Sequence, residues 1–219
     1  MTPDYQNAAV KALETLIQFN VTSAPVIPLP ILKSIPGVLV LSFAEMAAKI
    51  GNDRSAVISM FGAQNQDAVT TVRLKDGKIH YVVAYNQRLP FYMLQRSLAR
   101  ELGHIVLQHD GTRPEDIRME EARIFARHLI LPRPLIMSIK DSGIPLTIEV
   151  VGNVTGCYER CLNLVRKTPG IEVPPALNRQ VRAQFAEYVQ NFVNYQSILT
   201  SEDDSAVANF GTYLEGYRE

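Results

Sequence analysis

Glu101 and His104 lie on one face of a segment whose apolar spacing predicts a helix, and this pair of residues suits zinc chemistry. In the motif H-E-x-x-H, two histidines one helical turn apart hold the ion and the glutamate acts as general base. Here Arg100 stands at the position of the first histidine. Because arginine stays protonated and has no lone pair to offer, it cannot be a ligand. The segment therefore keeps the base and one imidazole of such a site.

A second segment follows the first and has the pattern of a partner helix. Its apolar residues recur at the spacing of one helix face, namely Ala122, Phe125, Ala126 and Leu129. Glu121 flanks this stripe, whereas Glu120 is predicted to point further toward water. A carboxylate at the edge of a buried stripe can reach a neighbouring helix.

Together the two segments resemble the ImmA/IrrE family of metallopeptidases. The family pattern is roughly H-E-L-G-H-x-x-L-x-H, followed by E-A-N-x-F-A-x-x-L-L-x-P. This chain reads Arg-Glu-Leu-Gly-His-Ile-Val-Leu-Gln-His and then Glu-Ala-Arg-Ile-Phe-Ala-Arg-His-Leu-Ile-Leu-Pro. The resemblance covers about two thirds of the chain. It implies zinc as cofactor, with His104 and Glu121 as metal ligands and Glu101 as catalytic base.

Two positions depart from the family pattern. Arg123 replaces an asparagine that is not a ligand, whereas Arg100 removes one of three ligands. Two ligands make an incomplete site, because a catalytic zinc takes three plus water. We hypothesise that Arg100 replaces part of the ion's charge by pairing with Glu121 or Glu101, since a guanidinium suits bidentate pairing with a carboxylate.

The remaining histidines and the two cysteines are predicted to have structural roles. His109 lies five residues after His104, about 140° around an ideal helix. It is therefore predicted to lie at the surface or at the helix end, and not to replace the missing ligand. We interpret His80 and His128 as structural. The cysteines, Cys157 and Cys161, are one helical turn apart, which suits a disulfide badly, and we interpret them as packing residues.

Composition places the chain among ordinary globular proteins. Of its 219 residues, 47% are hydrophobic and 20% are charged. Lys plus Arg and Asp plus Glu both total 22, so no global basic field favours nucleic acid. The two cysteines fit a reducing compartment, and neither a signal peptide nor a membrane-spanning stretch is evident. We expect a cytoplasmic protein with no membrane partner.

The predicted fold class is α+β, with a small zincin-like core followed by a helical C-terminal region. Residues 7–19 and 43–50 are predicted helices, and 37–43 is a predicted strand. Two more strands, 68–74 and 78–85, are joined by Lys75-Asp76-Gly77, which is a strong hairpin signal. The motif helix is predicted over 90–108. The predicted domains are a peptidase-type domain (1–135), a helical region (136–200) and a flexible acidic tail (201–219).

The helical region has two further patterns. Residues 147–166 are predicted to form a helix–turn–helix-like segment, with its turn at 152–155. A long helix is predicted from Ala176 to about Leu199, after Pro174-Pro175. A helix pair with a short turn is also common in packing, so this pattern alone does not indicate DNA binding.

Three functions stay open at this point. The first is a pseudopeptidase, in which metal-dependent proteolysis is impaired or lost and the cleft binds a protein or peptide partner. The second is an active zinc endopeptidase that cleaves a helix–turn–helix repressor, often encoded on a phage or mobile element, as the resemblance implies. The third is a DNA-binding regulator. Metal content separates the first two, and a salt-dependent gel shift tests the third.

Overall fold

A computed structural model describes residues 2–51, 53–60, 67–75, 78–110, 112–156 and 171–200. Helices and strands are interspersed up to residue 85, and every described element after it is a helix. The helices are α1 (Tyr5–Gln18), α2 (Pro28–Ser34), α3 (Phe43–Ile50), α4 (Arg54–Met60), α5 (Phe91–Val106), α6 (Glu115–Ile130), α7 (Arg133–Asp141), α8 (Ile148–Thr155), α9 (Pro175–Gln184) and α10 (Ala186–Thr200). The strands are β1 (Val38–Ser42), β2 (Ala68–Lys75) and β3 (Lys78–Tyr85). The predicted α+β class is confirmed.

The sheet has the order β1-β3-β2, so that β3 is central. Strand β1 runs parallel to β3, with Val40 opposite Val83, and β2 runs antiparallel to β3, with Thr70 also opposite Val83. The predicted hairpin strands are therefore confirmed, although the tip of the predicted turn, at 76–77, lies outside the described residues. Strand β2 is an edge strand of this sheet.

Each face of the sheet packs against a different set of helices, as the alternation of side chains along a strand requires. Val40 and Val83 point to the main core, which also contains Leu98 and Leu102 of α5. Leu41 and Ala84 point the other way, to a smaller cluster with Phe43 of α3 and Val57 of α4. Helix α5 therefore lies on the face of the sheet that carries Thr70.

Small residues bring the site helices close together. Helix α1 buries Ala8, Ala9 and Ala12 completely, and it packs along α6. In α5, a Cβ atom added to Gly103 would lie 3.0 Å from Cδ1 of Phe125 in α6. Glycine at this position permits the close approach of α5 and α6, which carry the candidate site residues.

The helices after residue 135 share the main core with the helices and strands that precede it. Leu177, Val181 and Phe185 are buried in the same cluster as Leu13 of α1 and Phe125 of α6. The chain on the two sides of the predicted boundary at 135 thus contributes to one continuous hydrophobic core.

Two predictions about the C-terminal helices were wrong. The predicted turn at 152–155 is helical, because α8 continues to Thr155 and ends at Gly156, whose φ of +70° is left-handed. The second helix of the predicted helix–turn–helix falls on 157–170, mainly outside the described residues. The predicted helix from Ala176 to Leu199 is interrupted at Phe185. No proline or glycine marks this interruption in the sequence.

Candidate active site

The candidate site lies in a cleft of about 330 Å³ between strand β2 and helices α5 and α6. Thr70 and Val72 line it from β2, and Arg100, Glu101 and His104 line it from α5. The helical period therefore places all three motif positions of α5 toward one cavity. A larger groove, of about 660 Å³, lies between α1 and the end of α5, away from Glu101.

Glu101 is buried in the floor of this cleft and is 5% exposed. Burial raises the pKa of its carboxyl group, and the Thr70 hydroxyl and the Arg100 charge offset this only in part. The Thr70 hydroxyl donates a hydrogen bond of 2.8 Å to Oε2 of Glu101. A buried carboxyl of raised pKa suits a general base, the role predicted for Glu101.

Glu121 reaches the same part of the molecule from α6 but has far more partners. Its Oε1 accepts hydrogen bonds from the backbone N–H of Asp4, at 2.8 Å, and from Arg113, at 3.0 Å. Its Oε2 accepts from Arg113, at 3.0 Å, and lies 2.9 Å from Nε2 of His109. Burial opposes ionisation, but these hydrogen bonds and the Arg113 charge outweigh it and lower the pKa of Glu121. Glu120, as predicted, is more exposed, and it pairs with Arg123.

His109 lies between the two predicted zinc ligands, which corrects the sequence analysis. It is buried, at 6% exposed, and its Nδ1 is 2.8 Å from Nδ1 of His104. Its other ring nitrogen, Nε2, contacts Glu121. The prediction that His109 lies at the surface was therefore wrong, although it does follow the end of the helix.

The end of α5 explains this position of His109. The helix stops at Val106, and Gln108 adopts a left-handed conformation with φ of +53°. The N–H of His109 then donates to the carbonyl of His104, at 2.9 Å, and the N–H of Gln108 donates to Ile105, at 3.1 Å. These two bonds are a Schellman motif, which reverses the chain over the last helical turn. The turn carries His109 back over His104, whereas a continuing helix would have placed it about 140° away.

The hydrogen-bond chain fixes the protons on both imidazoles. Burial lowers the pKa of His104 to about 4, helped by His109, Arg118 and Arg100, and burial also lowers the pKa of His109. Both rings are therefore neutral near pH 7. Ionised Glu121 only accepts, so Nε2 of His109 carries a proton and its Nδ1 accepts from His104. This assignment leaves the lone pair of His104 on Nε2.

The donor set does not fit a three-ligand zinc site. Nε2 of His104 retains a lone pair, as a zinc ligand requires. Glu121, however, contacts the far side of the His109 ring and is neutralised by Arg113. Among the described residues, no group of three or more His, Cys, Asp or Glu is arranged to hold a metal ion. His104 and Glu121 thus share a hydrogen-bond chain and do not converge on a common point.

Arg100 does not take the place that the sequence analysis gave it. Glu121 pairs with Arg113, and Glu101 bonds Thr70, so neither carboxylate forms an ion pair with Arg100. Within the part of the chain that the structure describes, Arg100 makes no hydrogen bond or ion pair, and its Nε atom is buried without a partner. Arg100 is one of the residues that line the cleft. The hypothesised pairing of Arg100 with Glu121 or Glu101 is therefore wrong in this structure.

Sequence reasoning missed two residues of the site, His109 and Arg113. The last histidine of the quoted family pattern is a signal for His109, because it recurs at this position. Arg113 precedes α6 in a loop, and no periodic pattern marks it. The other histidines are half-buried His80 and buried His128, which lie on β3 and α6 outside this cleft.

Comparison with known families identifies the region that holds this site. Residues 56–141 match the family model for peptidase M78, described as the IrrE N-terminal-like domain. This segment is therefore similar to the IrrE N-terminal-like domain. The match spans β2, β3, α5 and α6, and so contains Arg100, Glu101, His104, His109 and Glu121. No curated protein and no solved structure gave a significant match.

The match confirms the resemblance to the ImmA/IrrE family and the metallopeptidase-like fold. Peptidases of this kind are normally zinc-dependent, and this chain has the glutamate and the second histidine of the motif, as Glu101 and His104. In the part of the chain that the structure describes, no helix is long and apolar enough to cross a bilayer.

Proposed function

We propose that this protein is a regulatory protein of ImmA/IrrE-like fold that binds a protein or peptide partner in its cleft, with metal-dependent proteolysis impaired or lost. One observation carries the proposal: the ring of His109 separates His104 from Glu121. The carboxylate of Glu121, which a zinc ion would need as a ligand, is hydrogen-bonded to His109, Arg113 and the backbone N–H of Asp4. Arg100 adds a positive charge where a ligand would stand, which disfavours a cation.

The position of the cleft beside strand β2 supports the proposal that it binds a peptide. Strand β2 lies at the sheet edge, and residues 67–70 and Val72 line the cleft. An extended peptide can pair with such an edge by main-chain hydrogen bonds, while its side chains enter neighbouring pockets. A partner presenting an extended segment, such as a helix–turn–helix repressor with an exposed linker, would suit this surface.

The test is zinc affinity, measured on protein purified without chelator. We expect zinc well below one ion per chain by elemental analysis, and weak binding by calorimetric titration. Arg100→His restores the motif and should bind zinc more tightly than the wild type. Arg96→His is the matched control, because Arg96 is exposed on the same helix and does not line the cleft.

An active zinc endopeptidase is the second candidate, favoured by buried Glu101 in the cleft and by the free lone pair of His104. Stoichiometric zinc bound by His104 and Glu121 in the wild type, together with chelator-sensitive cleavage of peptides, would establish it and refute our proposal. The DNA-binding alternative stays a prediction, because its second helix lies mainly outside the described residues. A salt-dependent gel shift tests it.

A further inference from the structure

Two arginines, Arg100 and Arg118, line the cleft together with His104. Arg100 approaches it from α5 and Arg118 from α6, and both line the cavity. The positive charges therefore lie close to the position where a peptidase holds its ion.

Arg100 makes no hydrogen bond or ion pair with any described residue, and its Nε atom is buried without a partner. Arg118 uses its Nε to bond the carbonyl of Arg113, at 3.1 Å, which holds its side chain in place. A guanidinium that has no hydrogen-bond partner can donate to a ligand, and a hydrogen bond to a charged group contributes more than one between neutral groups. The group that best satisfies a guanidinium is a carboxylate, which can bind it in a bidentate manner.

The acidic residues of the cleft do not neutralise these two arginines by pairing. Asp110 accepts hydrogen bonds from Thr112, and Asp67 lies 3.5 Å from the Ser97 hydroxyl. Glu101 bonds Thr70 and has a raised pKa because it is buried. Glu115 lines the cleft but is exposed. Arg100 therefore has no ion-pair partner among the described residues, and an acidic group of a ligand that also contacts the main chain of β2 would supply one.

We propose that Arg100 and Arg118 bind the acidic side chain of an extended peptide that pairs with the outer edge of β2. This inference rests on the proposed function, peptide binding in the cleft, and names the chemistry of its ligand. The cleft is lined by β2 on both sides of Thr70, from Asp67 to Val72. A peptide that follows this edge continues past the arginines in both directions, so an internal Asp or Glu suits the site better than a C-terminal carboxylate.

The cleft also predicts the residue type that accompanies the acid. Val72 is 48% exposed and lines the cleft together with Tyr81, its partner across the strand pair. These two side chains lie on the same face of the sheet as Thr70, because residues two apart along a strand share a face. An apolar side chain near the acidic residue of the peptide would cover Val72.

The experiment is selection from a display library of random peptides, with the full-length protein as bait. The wild type should enrich sequences that carry Asp or Glu at one internal position with an apolar residue nearby. A selected peptide, measured by fluorescence anisotropy, should bind on the order of tenfold more weakly when that acid becomes its amide. Arg100→Gln and Arg118→Gln should each remove this preference, whereas Arg96→Gln should retain it. Circular dichroism verifies that each variant is folded.

The outcome of the peptide selection separates the acidic preference from peptide binding itself. Selected peptides that show no acidic preference, or whose acid preference survives in both folded Arg→Gln variants, would overturn it while leaving peptide binding intact. Dependence on a free C-terminus, with loss of binding on amidation, would also overturn it. If no peptide is enriched, the proposed function fails as well. A dimer that pairs through β2 and selects no peptide would mean that a second copy of the chain occupies the edge.

Discussion

The two buried glutamates of the site differ in their surroundings. Among the described residues, Glu101 on α5 accepts a hydrogen bond from one side chain, that of Thr70, and burial raises its pKa. Glu121 on α6 is bonded by Asp4, His109 and Arg113, and its pKa is lowered despite burial. Both positions are carboxylates in the family motif, but only Glu101 still borders the cleft. Burial alone therefore does not set the charge of a carboxyl group, because hydrogen-bond donors and nearby positive charges can outweigh it.

Of the substitutions considered, we expect the one that removes the charge of Glu121 to lower the free energy of unfolding most. Glu121→Gln leaves the donors of Asp4, His109 and Arg113 facing an amide, and should lower the free energy of unfolding by about 2–3 kcal/mol. Arg113 contributes little to this figure because its side chain is half exposed. The measurement is urea unfolding at pH 7.

Matched substitutions at two other glutamates give the comparison. Glu101→Gln retains an acceptor for Thr70 and should change stability by less than about 1 kcal/mol, and Glu120→Gln, at an exposed position, should fall within about 0.5 kcal/mol. Equal losses for Glu101→Gln and Glu121→Gln would contradict the difference that we describe.

A third buried polar group, His128, extends the comparison to a side chain without partners. Neither of its ring nitrogens has a hydrogen bond within the described residues, and burial lowers its pKa to about 4 from 6.5. The folded state therefore binds fewer protons than the unfolded state between these values, so stability falls as the pH drops through this window. The shift, 6.5 − 4 or about 2.5 units, corresponds to about 3 kcal/mol over the whole window.

The variant His128→Leu should remove this proton-linked loss. We expect it to unfold with nearly the same free energy as the wild type at pH 7 and to be about 2 kcal/mol more stable than the wild type at pH 5. His104 titrates in both proteins, so the difference between their stability curves isolates His128. Curves that stay parallel from pH 7 to pH 5 would show that His128 has a partner or an ordinary pKa.

Gly103 lies between the two glutamates, where α5 meets α6, and its replacement tests how closely the helices must approach. Gly103→Ala gains about 1 kcal/mol of helix propensity but places its Cβ 3.0 Å from Phe125, an overpacking that costs about 1–3 kcal/mol. We expect a net loss of about 1 kcal/mol in urea unfolding. In a Phe125→Leu background, the same substitution should instead stabilise. If Gly103→Ala stabilises the wild type too, the helices have room to separate.

The helical residues of the site were predictable from the sequence because periodicity encodes their direction. Glu101 and His104 share a face of α5, and Glu121 flanks the buried stripe of α6, as their spacing indicates. The hairpin was predicted in the same way, from the alternation of apolar and polar residues along its two strands. These features depend on patterns repeated over many residues, so a single ambiguous position does not change them.

His109 and Arg113 could not be placed in the same way, because single local events position them. The predicted helix extended to residue 108, whereas α5 ends at Val106 without glycine or proline to mark the stop. The difference of two residues in where the helix ends decides whether His109 points away from His104 or contacts it. Arg113 reaches Glu121 from a loop, where no period constrains direction. The sequence therefore did not predict the hydrogen-bond partners of Glu121. For the same reason it did not predict that the pKa values of Glu101 and Glu121 shift in opposite directions.

A substitution at Gln108, in the turn that brings His109 to Glu121, should change the free energy of unfolding least. Gln108 has φ of +53°, a left-handed conformation that costs a residue with a Cβ about 1 kcal/mol and glycine almost nothing. Gln108→Gly should therefore raise the free energy of unfolding by up to about 1 kcal/mol and leave the His104–His109 contact intact.

The end of α1 supplies a matched control for this turn. There Asn20 has φ of +49° and forms the same pair of hydrogen bonds, from its own N–H to Ile17 and from Val21 to Leu16. Because asparagine tolerates the left-handed region, Asn20→Gly should gain only a few tenths of a kcal/mol. Nitrogen-15 chemical shifts of the two imidazoles verify that His104 and His109 remain hydrogen-bonded in Gln108→Gly. A variant that is less stable than the wild type, or that loses this contact, would mean that the Gln108 side chain holds the turn and that backbone geometry alone does not place His109 against Glu121.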